Sequence, residues 1–498
     1  FQGLSSLQDS ITVGGRYNNG VNTDHGVTFE NGSGSTFTVS GSNNNGIYKT
    51  GGDATFNHGS GTTFTVSGND NNGIFAETAG NITFDNGASP EFNISGNNNN
   101  GIFAKIGTLT VNDGTFKISG TRYNNGILAT TAGNQTLYDN NFEISGSANA
   151  GVVSTGGKLN FETTGINIST VKFKDIAANN HSTNLVGVYV TNTSTGANTV
   201  KNYDFTDEGT TSNSTGVYVG SAGTKLEVTD TTYSFNGSSD HGIYVDNGAK
   251  LLNVYSTNRP SSFHMKGEKS NGIYMASGST LDGATIDASF NLEGKHSNGI
   301  RLDNAIINAN TFRGSFSLTG ANSNGIFFNN TSATNNIHAS FDLKPGSDNS
   351  NGIWVARNVG TTLDVDGSTF DIRSNYSNGI YVGSGNANTA TVTAMSVKNA
   401  RFNVYGKETT GINISDAATT AALTIANSTF DVDGKNNHAS GQRSSGIYLN
   451  SGTGGATIGP GAGAADSTRF YVRGGGAIGI ATNASKNNGT TNQSFTFS

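Results

Sequence analysis

Two Asp-His-Gly triplets, Asp24-His25-Gly26 and Asp240-His241-Gly242, are the parts of the sequence that most suggest acid–base chemistry. A histidine beside a carboxylate can take up or release a proton near neutral pH. In both triplets, however, the histidine precedes a glycine and an aliphatic residue, and His241 stands where asparagine stands in most repeats of the chain. The sequence therefore favours the filling of a corner over catalysis at these histidines.

Paired carboxylates offer the alternative of glycoside hydrolysis, which needs two carboxyl groups roughly 5–10 Å apart. Asp282 and Asp364 are able to share an outward face, but three repeats separate them, which is too far. A polysaccharide lyase would need calcium-binding carboxylates beside an Arg or Lys base, and the sequence concentrates no such group. There is no P-loop and no EF-hand loop. We therefore predict no catalytic residue, no metal site and no cofactor, and keep hydrolase or lyase as a minor alternative.

The composition bears on several other classes of protein. The 498 residues include 70 glycines and no cysteine, so disulfides and thiolate metal sites are ruled out. A net charge of −7 argues against nucleic acid as a partner. No run approaches ~18 consecutive apolar residues, so no membrane-spanning helix is predicted. With 28 Phe and 16 Tyr, the chain is expected to fold rather than to stay disordered.

A glycine followed by isoleucine or valine recurs about every 29 residues along the chain. A phenylalanine precedes most of these glycines, commonly by nine residues. Each repeat therefore contains a Phe strand (Phe-x-aliphatic), a Gly strand (Gly-Ile-x-aliphatic) and a third alternating strand. The glycines are Gly20, Gly46, Gly73, Gly101, Gly126, Gly151, Gly187, Gly216, Gly242, Gly272, Gly299, Gly325, Gly352, Gly379, Gly411, Gly446 and Gly479.

Three short strands per repeat predict an all-β fold, a right-handed parallel β-helix (solenoid) of about 16–17 three-strand rungs. Stacking places equivalent side chains ~4.8 Å apart, so Phe should rest on Phe in the interior. We expect one β-helix domain over residues 4–498, since Phe1-Gln2-Gly3 looks like the remnant of a cleaved tag. Loops are expected near residues 174–186, 431–445 and 451–466.

Finer expectations concern corners and irregular rungs. The Asn-Gly steps are expected to form corners with positive φ. Turn formation is the favoured role of these asparagines, and a stacked row of their amides is the alternative. Asp175, Asp207 and Gly237 take the second inward position after Phe173, Phe205 and Phe235, which predicts distorted rungs there.

One position of the Gly strand predicts an outward row of aromatic side chains. The residue after the Ile or Val should point outward, because its two neighbours point inward. In the middle of the chain this row, the aromatic ladder, contains Tyr244, Tyr274, Arg301, Phe327, Trp354 and Tyr381. Such residue types dominate binding hot spots. Aromatic side chains on stacked strands also stabilise a sheet by pairing with one another, and this alternative stays open.

Basic residues are frequent in the same part of the chain. The predicted basic strip contains Lys250, Lys266, Lys269, Lys295 and Arg313. It is either a docking strip for an anionic glycan or an ordinary solvated face of mixed charge. Binding of a sulfated glycan to it should weaken as salt screens the charges.

The repeated Asn-Asn-Gly-Ile and Thr-Phe-Thr-Val-Ser-Gly elements resemble the passenger domains of AIDA-type autotransporter adhesins of Gram-negative pathogens. The resemblance covers essentially the whole chain as architecture. It implies a signal peptide and an outer-membrane β-barrel in the full protein, with export to the bacterial cell surface. It also implies attachment to host extracellular-matrix components, or self-association. No short motif of the family carries binding residues over to this sequence.

These observations together predict an adhesin passenger that holds a host extracellular-matrix macromolecule along an extended face. The expected partners are a glycosaminoglycan, a matrix protein such as fibronectin, or both, without nucleic acid and without membrane insertion of this segment. The alternative is a scaffold that associates with itself in biofilms.

Overall fold

The computed structural model describes residues 10–30, 34–57, 59, 61–130, 133–164, 168–176, 181–194, 196–331, 335–357, 359–383, 390–415, 418–420, 423–437, 443–449, 456–459, 467–482 and 495–497. Over this part of the chain the regular structure is β-strand, apart from one 3-10 turn, Gly434–Asn436. Neighbouring strands pair in parallel. The predicted fold class, an all-β parallel solenoid, is confirmed.

The chain forms two compact units. The first contains Phe1–Lys250 and Thr257–Arg259, and the second contains Leu251–Ser256 and Pro260–Ser498. In each unit three stacks of strands follow one another around every turn of the solenoid.

The strands of the first unit fall into these three stacks. The Phe strands are Ser10–Val13, Thr36–Val39, Thr63–Val66, Glu91–Ile94, Thr115–Ile118, Asn141–Ser145, Ser169–Lys174, Tyr203–Asp207 and Thr232–Phe235. The Gly strands are Asn19–Thr23, Asn45–Lys49, Asn72–Ala76, Asn100–Ala104, Asn125–Ala129, Ala150–Ser154, Val186–Val190, Thr215–Val219 and His241–Val245. The third strands are Val27–Phe29, Ala54–Phe56, Ile82–Phe84, Leu109–Asn112, Gln135–Tyr138, Leu159–Glu162, Asn198–Lys201 and Lys225–Thr229. One further strand, Lys250–Tyr255, begins at the last residue of the first unit's main segment.

In the second unit several strands bend through two stacks without a break. Thr280–Leu292, Asn310–Leu318 and Asn335–Leu343 each serve as a third strand and then as a Phe strand. The other Phe strands are Ser262–Met265, Thr369–Ile372, Arg401–Val404, Thr429–Asp433 and Arg469–Arg473. The Gly strands are Asn271–Met275, Asn298–Asp303, Asn324–Asn329, Asn351–Arg357, Asn378–Val382, Thr410–Ile414, Ser444–Leu449 and Ala477–Thr482. The remaining third strands are Ile306–Asn308, Val359–Asp366, Ala390–Lys398, Ala418–Thr420, Leu423–Ala426, Ala456–Gly459 and Phe495–Phe497.

Columns of phenylalanine rings form the centre of each unit. In the second unit the rings lie nearly parallel, with centroids 4.6 to 4.9 Å apart. This column contains Phe263, Phe290, Phe316, Phe341, Phe370, Phe402 and Phe430, all fully buried. Burial of one such side chain contributes about 1.5–3 kcal/mol, so the column is a main source of stability, and the predicted stacking of Phe on Phe is confirmed.

Two rungs of the first unit have a different register from the one predicted. Val171, not Phe173, pairs with Phe142, and Phe173 takes the second inward position. Tyr233 likewise pairs with Phe205, and Phe235 follows two residues later. The prediction was wrong because β alternation has a period of two, so an aromatic residue fits either inward position.

Asp175 and Gly237 consequently lie beyond their strands, in the following corner. Asp207 does take the second inward position, opposite Phe173, and is only 2% exposed. Its carboxylate accepts hydrogen bonds from the backbone N–H groups of Gly209 and Gly237, both at 3.0 Å. Burial raises the pKa of Asp207, and these hydrogen bonds oppose that rise. The rung is therefore irregular at this carboxylate.

Within the described residues, the glycine of each repeated Asn-Gly-Ile step lies within a strand, so the expectation that these steps form positive-φ corners is wrong. The left-handed residue is the third before the glycine: His296 has φ 57° before Gly299, and Asn322 has φ 56° before Gly325. Glycine is needed for its size. A Cβ at Gly299 would lie 2.7 Å from the carbonyl oxygen of Gly325 and 2.8 Å from the ring of Phe316.

The three expected loops lie partly outside the described residues. Within 174–186 the structure describes 174–176 and 181–186, and within 431–445 it shows the 3-10 turn Gly434–Asn436. The third expectation, a loop over 451–466, is wrong at Ala456–Gly459, which is a strand paired with Leu423–Ala426. Its Ala-Thr-Ile-Gly sequence is a short alternating strand that the surrounding glycines concealed. Residues 1–3 also lie outside the described part.

Candidate functional site

The aromatic ladder of the second unit occupies one position on successive Gly strands. Tyr274 pairs with Arg301, Arg301 with Phe327, Phe327 with Trp354, and Trp354 with Tyr381. All five side chains are half-buried. The predicted outward row is therefore present in this unit, and its members contact one another from strand to strand.

These contacts fix the ladder residues in place. The guanidinium of Arg301 lies 5.1 Å from the ring centroid of Tyr274 and 5.8 Å from that of Phe327. The Phe327 and Trp354 ring centroids are 4.8 Å apart, and those of Trp354 and Tyr381 are 6.1 Å apart. Pairing along the sheet thus stabilises the ladder, and the exposed parts of the rings remain available to a partner.

Two polar groups of the ladder are held by the protein itself. Arg301 forms an ion pair with Asp303, with Nη2 2.6 Å from Oδ2. The indole Nε1 of Trp354 donates a hydrogen bond to the carbonyl of Gly383 at 2.9 Å. Arg301 is therefore a weaker candidate for an anionic ligand than its charge suggests, and the orientation of the Trp354 ring is fixed.

An amide ladder runs beside the aromatic ladder, at the residue just before each glycine. The Nδ2 of Asn324 donates to Oδ1 of Asn298, that of Asn351 to Asn324, and that of Asn378 to Asn351, each at 2.9 Å. Asn298, Asn324 and Asn351 are only 5–7% exposed. The stacked row of amides, the less favoured alternative from the sequence, is therefore present.

The left-handed corner residues form a third row, on the far side of the amide ladder. His296, Asn322, Asn349 and Tyr376 have φ between 54° and 58° and are exposed. A side chain at such a corner projects from the solenoid, because the backbone turns sharply there.

The three rows enclose a shallow groove of about 380 Å³ on the second unit, which we call the amide groove. The amide ladder is its floor, and the other two rows are its walls. Its lining residues are His296, Asn322, Asn324, Asn349, Asn351, Trp354, Tyr376, Asn378 and Tyr381. Sequence reasoning found the two aromatic ladder members of this groove but missed the corner row, whose signal is the residue three places before each glycine.

The predicted basic strip does not form one surface in the second unit. Lys266, Lys269 and Lys295 are exposed at the corner between the Phe and Gly strands, where the N–H of Lys269 donates to the carbonyl of Lys295 at 2.8 Å. Arg313 is exposed on the strand Asn310–Leu318, in register with Asp287 and therefore away from that corner. We call the three lysines the lysine corner.

Acidic groups accompany the lysine corner. The pKa of the Glu293 carboxyl is lowered chiefly by its hydrogen bond with His264, at 2.7 Å, and also by the charge of Lys266. The corner is therefore locally basic within a surface of mixed charge.

Two predicted residues, Tyr244 and Lys250, belong to the first unit. Tyr244 is half-buried, and its ring meets that of Tyr218 edge-on at 5.3 Å. Burial, followed by the charge of Asp246, raises the pKa of Tyr244. Lys250 is half-exposed at the start of the strand Lys250–Tyr255.

A second groove, of about 370 Å³, occupies the corresponding place in the first unit. Its floor includes Ala150 and Val186, which stand in the strand register where Asn351 and Asn378 stand in the second unit. Its ladder wall contains Val153 and Tyr189. This groove therefore has the form of the amide groove without its full row of amides.

The two Asp-His-Gly triplets have different surroundings. Asp24 and His25 are exposed and contact each other, with Oδ1 2.5 Å from Nδ1. Asp240 is fully buried and accepts a hydrogen bond from the N–H of Ser214 at 2.8 Å, while the ring of His241 stacks on Tyr244. His241, for which filling of a corner was the favoured interpretation, begins the strand His241–Val245 and pairs with Thr215, and it is the neighbouring Asp240 that lies in the corner.

The candidate pair for glycoside hydrolysis is dispersed. Asp282 pairs with Asn308, whereas Asp364 pairs with Asn336, which pairs in turn with Thr311. The two carboxylates therefore occupy different rows on strands that are not neighbours. Within the described residues, no group of three His, Asp or Glu side chains is arranged to hold a metal ion.

Comparison with known proteins gives few matches. No family model matches the chain, and no curated protein matches it. Among solved structures, a chain in the cryo-EM structure of the Vag8-C1 inhibitor complex is similar, with 12% identity and a TM-score of 0.46. The alignment covers 95% of this chain and 100% of the other. Among the described residues, no helix has the length and hydropathy needed to span a membrane.

Proposed function

We propose that the chain is the surface-displayed passenger of an autotransporter adhesin, and that it holds an extended macromolecule of the host extracellular matrix. The amide groove is the observation that carries this proposal. Equivalent groups line it strand after strand, at intervals of ~4.8 Å. A surface with such a repeat suits a polymer that lies along it better than a compact small molecule.

The aromatic wall supports binding rather than a purely structural role. Half-buried Trp and Tyr side chains supply apolar contact area at a low cost in conformational entropy. Trp354 and Tyr381 are already held by the contacts described above, so little ordering is needed when a partner binds. A matrix protein such as fibronectin is the expected occupant of this wall if the partner is a protein.

The lysine corner supports a second kind of partner. Lys266, Lys269 and Lys295 place three ammonium groups at one exposed corner, and sulfate groups of a glycosaminoglycan bind to such cations. Arg301 contributes less to this site than predicted because Asp303 pairs with it. Glycosaminoglycan and protein would then bind to adjoining surfaces of the same passenger, because Lys295 directly precedes His296 of the groove wall.

The proposal is for a binding protein without catalytic activity. The dispersed positions of Asp282 and Asp364, and the burial of Asp240 in a corner, support it. Hydrolase or lyase activity, and self-association in a biofilm, are the competing functions.

A binding screen tests the proposal. The full chain is applied to immobilised fibronectin, other matrix proteins and heparin, while product release and particle mass are measured in parallel. Saturable binding to a matrix component without product release supports the proposal. Sugar release from a polysaccharide would assign the chain to enzymes, and growth of particle mass without any matrix binding would assign it to self-associating scaffolds.

A further inference from the structure

We infer that the amide groove of the second unit binds an uncharged glycan through its sugar rings and hydroxyl groups. This inference rests on the proposed function and names the chemistry of the partner at that site. It differs from the anionic glycan expected at the lysine corner, which adjoins one end of the groove: Lys269, with φ 59°, precedes His296 in the corner row, and Lys295 is the residue before His296.

The uncharged lining of the groove favours a neutral ligand. None of its nine lining residues is Lys, Arg, Asp or Glu. Two cations lie next to the lining but outside it: Lys295 precedes His296, and Nζ of Lys407 is 5.4 Å from the ring centroid of Tyr376. A sulfated or carboxylated chain along the floor would therefore lose hydration without a cation among the lining residues, which is unfavourable. A neutral chain has no such cost.

The amides of the groove floor match the hydroxyl groups of a sugar. Within the amide ladder, Asn324 and Asn351 each use one N–H as a donor and their Oδ1 as an acceptor. An asparagine amide has two N–H donors and an oxygen with two lone pairs. Each amide therefore keeps one further donor and one further acceptor site, and neighbouring sugar hydroxyls, which both donate and accept, match this pair.

The aromatic wall of the groove fits the apolar face of a sugar ring. Trp354 and Tyr381 present partly exposed rings beside the polar floor. A pyranose ring has an apolar face of C–H groups and a polar edge of hydroxyls, so it fits an apolar wall and a polar floor at the same time. The hydrogen bond from Trp354 to Gly383 holds the indole in the orientation that such stacking needs.

A peptide strand is a poorer occupant. The backbone N–H groups of the floor residues are already bonded within the solenoid: those of Asn324, Asn351 and Asn378 donate to Ser297, Ser323 and Ser350 at 2.9 to 3.0 Å. No sheet edge is thus open at the groove floor, and strand addition, which depends on such an edge, has no place to begin there.

The first unit supplies an internal comparison. At Ala150 and Val186 its groove lacks the amides, and at Val153 it lacks a ring. Because the chain already accommodates Val186 at this position of the Gly strand, Asn351→Val is a matched change that removes one floor amide. Asn100→Val makes the same change in the amide ladder of the first unit, where Asn100 bonds to Asn72 at 2.9 Å.

The test measures binding of the full chain to galactomannan, to dextran and to asialofetuin, a glycoprotein with uncharged glycans. Binding to at least one of them is expected, with little change between ~0.01 M and ~1 M salt. Trp354→Ala and Asn351→Val should each weaken it about tenfold, a loss of ~1.4 kcal/mol. Asn100→Val should leave it unchanged. Binding to asialofetuin that is lost when its glycans are removed indicates a protein-linked glycan as the ligand, whereas binding to galactomannan or dextran alone indicates a free polysaccharide.

Three results would overturn the inference. The first is absence of binding to every neutral probe, and the second is binding that Trp354→Ala and Asn351→Val leave intact. The third is an unaltered chain that binds a matrix protein but no neutral glycan, together with a Trp354→Ala variant that no longer binds that protein. In that third case the proposed adhesin function survives and only the ligand class fails.

Discussion

The backbone N–H of Ser214 donates a hydrogen bond to Oδ1 of Asp240 at 2.8 Å, and the bond from Asn44 to Oδ1 of Asn71, at 2.7 Å, has the same geometry. Asp240 therefore takes a place that asparagine fills in other turns of the first unit. The difference is the ionisable group. Burial raises the pKa of Asp240 to about 8, and the charge of Asp207 adds to the effect.

Asp240→Asn should stabilise the protein at alkaline pH but not in acid. The pKa of Asp240 lies near 3.8 when exposed and about 8 in the fold, so the native state holds its proton more tightly. The resulting stability is complete below pH ~4, declines as pH rises towards 8, and is then constant. The amide removes this loss, which predicts a gain on the order of 5 kcal/mol at pH 9 and none at pH 4. Denaturant unfolding at both pH values measures it.

Asp282→Asn, at an exposed position, is the control for that experiment and should show no such pH dependence. An equal gain from Asp240→Asn at pH 4 and pH 9 would contradict the assigned role of its charge.

Phe290→Asp should prevent stable folding of the second unit. Phe290 lies between the rings of Phe263 and Phe316, at 4.8 and 4.7 Å, and is 1% exposed. A carboxylate there has no partner, and the cost is several kcal/mol. Phe327→Asp, at the half-buried aromatic ladder, should cost much less. Circular dichroism and denaturant unfolding compare the two, and equal stability of both variants would refute the register of the Phe column.

Gly299→Ala should destabilise the protein by about 2 kcal/mol, because the added methyl group collides with the carbonyl of Gly325 and the ring of Phe316. Gly475→Ala is the control, since a Cβ there meets nothing within 4 Å. Thermal unfolding measures both. A Gly299→Ala variant as stable as the control would show that these glycines are not selected for size.

Reversing the charge of the lysine corner should abolish binding to heparin. The change is Lys266→Glu, Lys269→Glu and Lys295→Glu together, and binding of the unaltered chain should fall steeply with salt. Arg313→Glu is the control, because this exposed residue lies on another strand. Heparin affinity chromatography measures the salt concentration at which each protein elutes. Elution of the triple variant at the same salt concentration as the unaltered chain would show that the lysine corner does not bind heparin.

The regular features of the fold were predictable from the sequence, whereas among the irregular features discussed above only the distorted rung at Asp207 was. The spacing of Phe and Gly-Ile predicted the stacking because each turn repeats the same chemistry. The predicted register of Phe173 and Phe235 was wrong, because an aromatic side chain fits either inward position of a strand. The corner role of the Asn-Gly steps was wrong because two properties of glycine, size and backbone freedom, give the same sequence signal.

The sequence predicted only the part of the candidate site that lies on the Gly strands. Period-two alternation placed Trp354 and Tyr381 on the outward face, but the groove also needs His296, Asn322 and Asn349, which lie in a corner. Alternation says nothing about a corner side chain, whose direction depends on one left-handed residue. The basic strip failed to form one surface for a related reason: nearness in sequence placed Arg313 with the lysines, and the strand register separates them.

The most direct test of binding in the amide groove is the affinity of Trp354→Ala for a matrix component bound by the unaltered chain, compared with that of Tyr448→Ala. Both residues are half-buried at the same position of a Gly strand, but only Trp354 lines the amide groove. Surface plasmon resonance on folded variants should show at least an about tenfold loss for Trp354→Ala and none for Tyr448→Ala. Equal affinities of both variants and the unaltered chain would contradict binding in the groove.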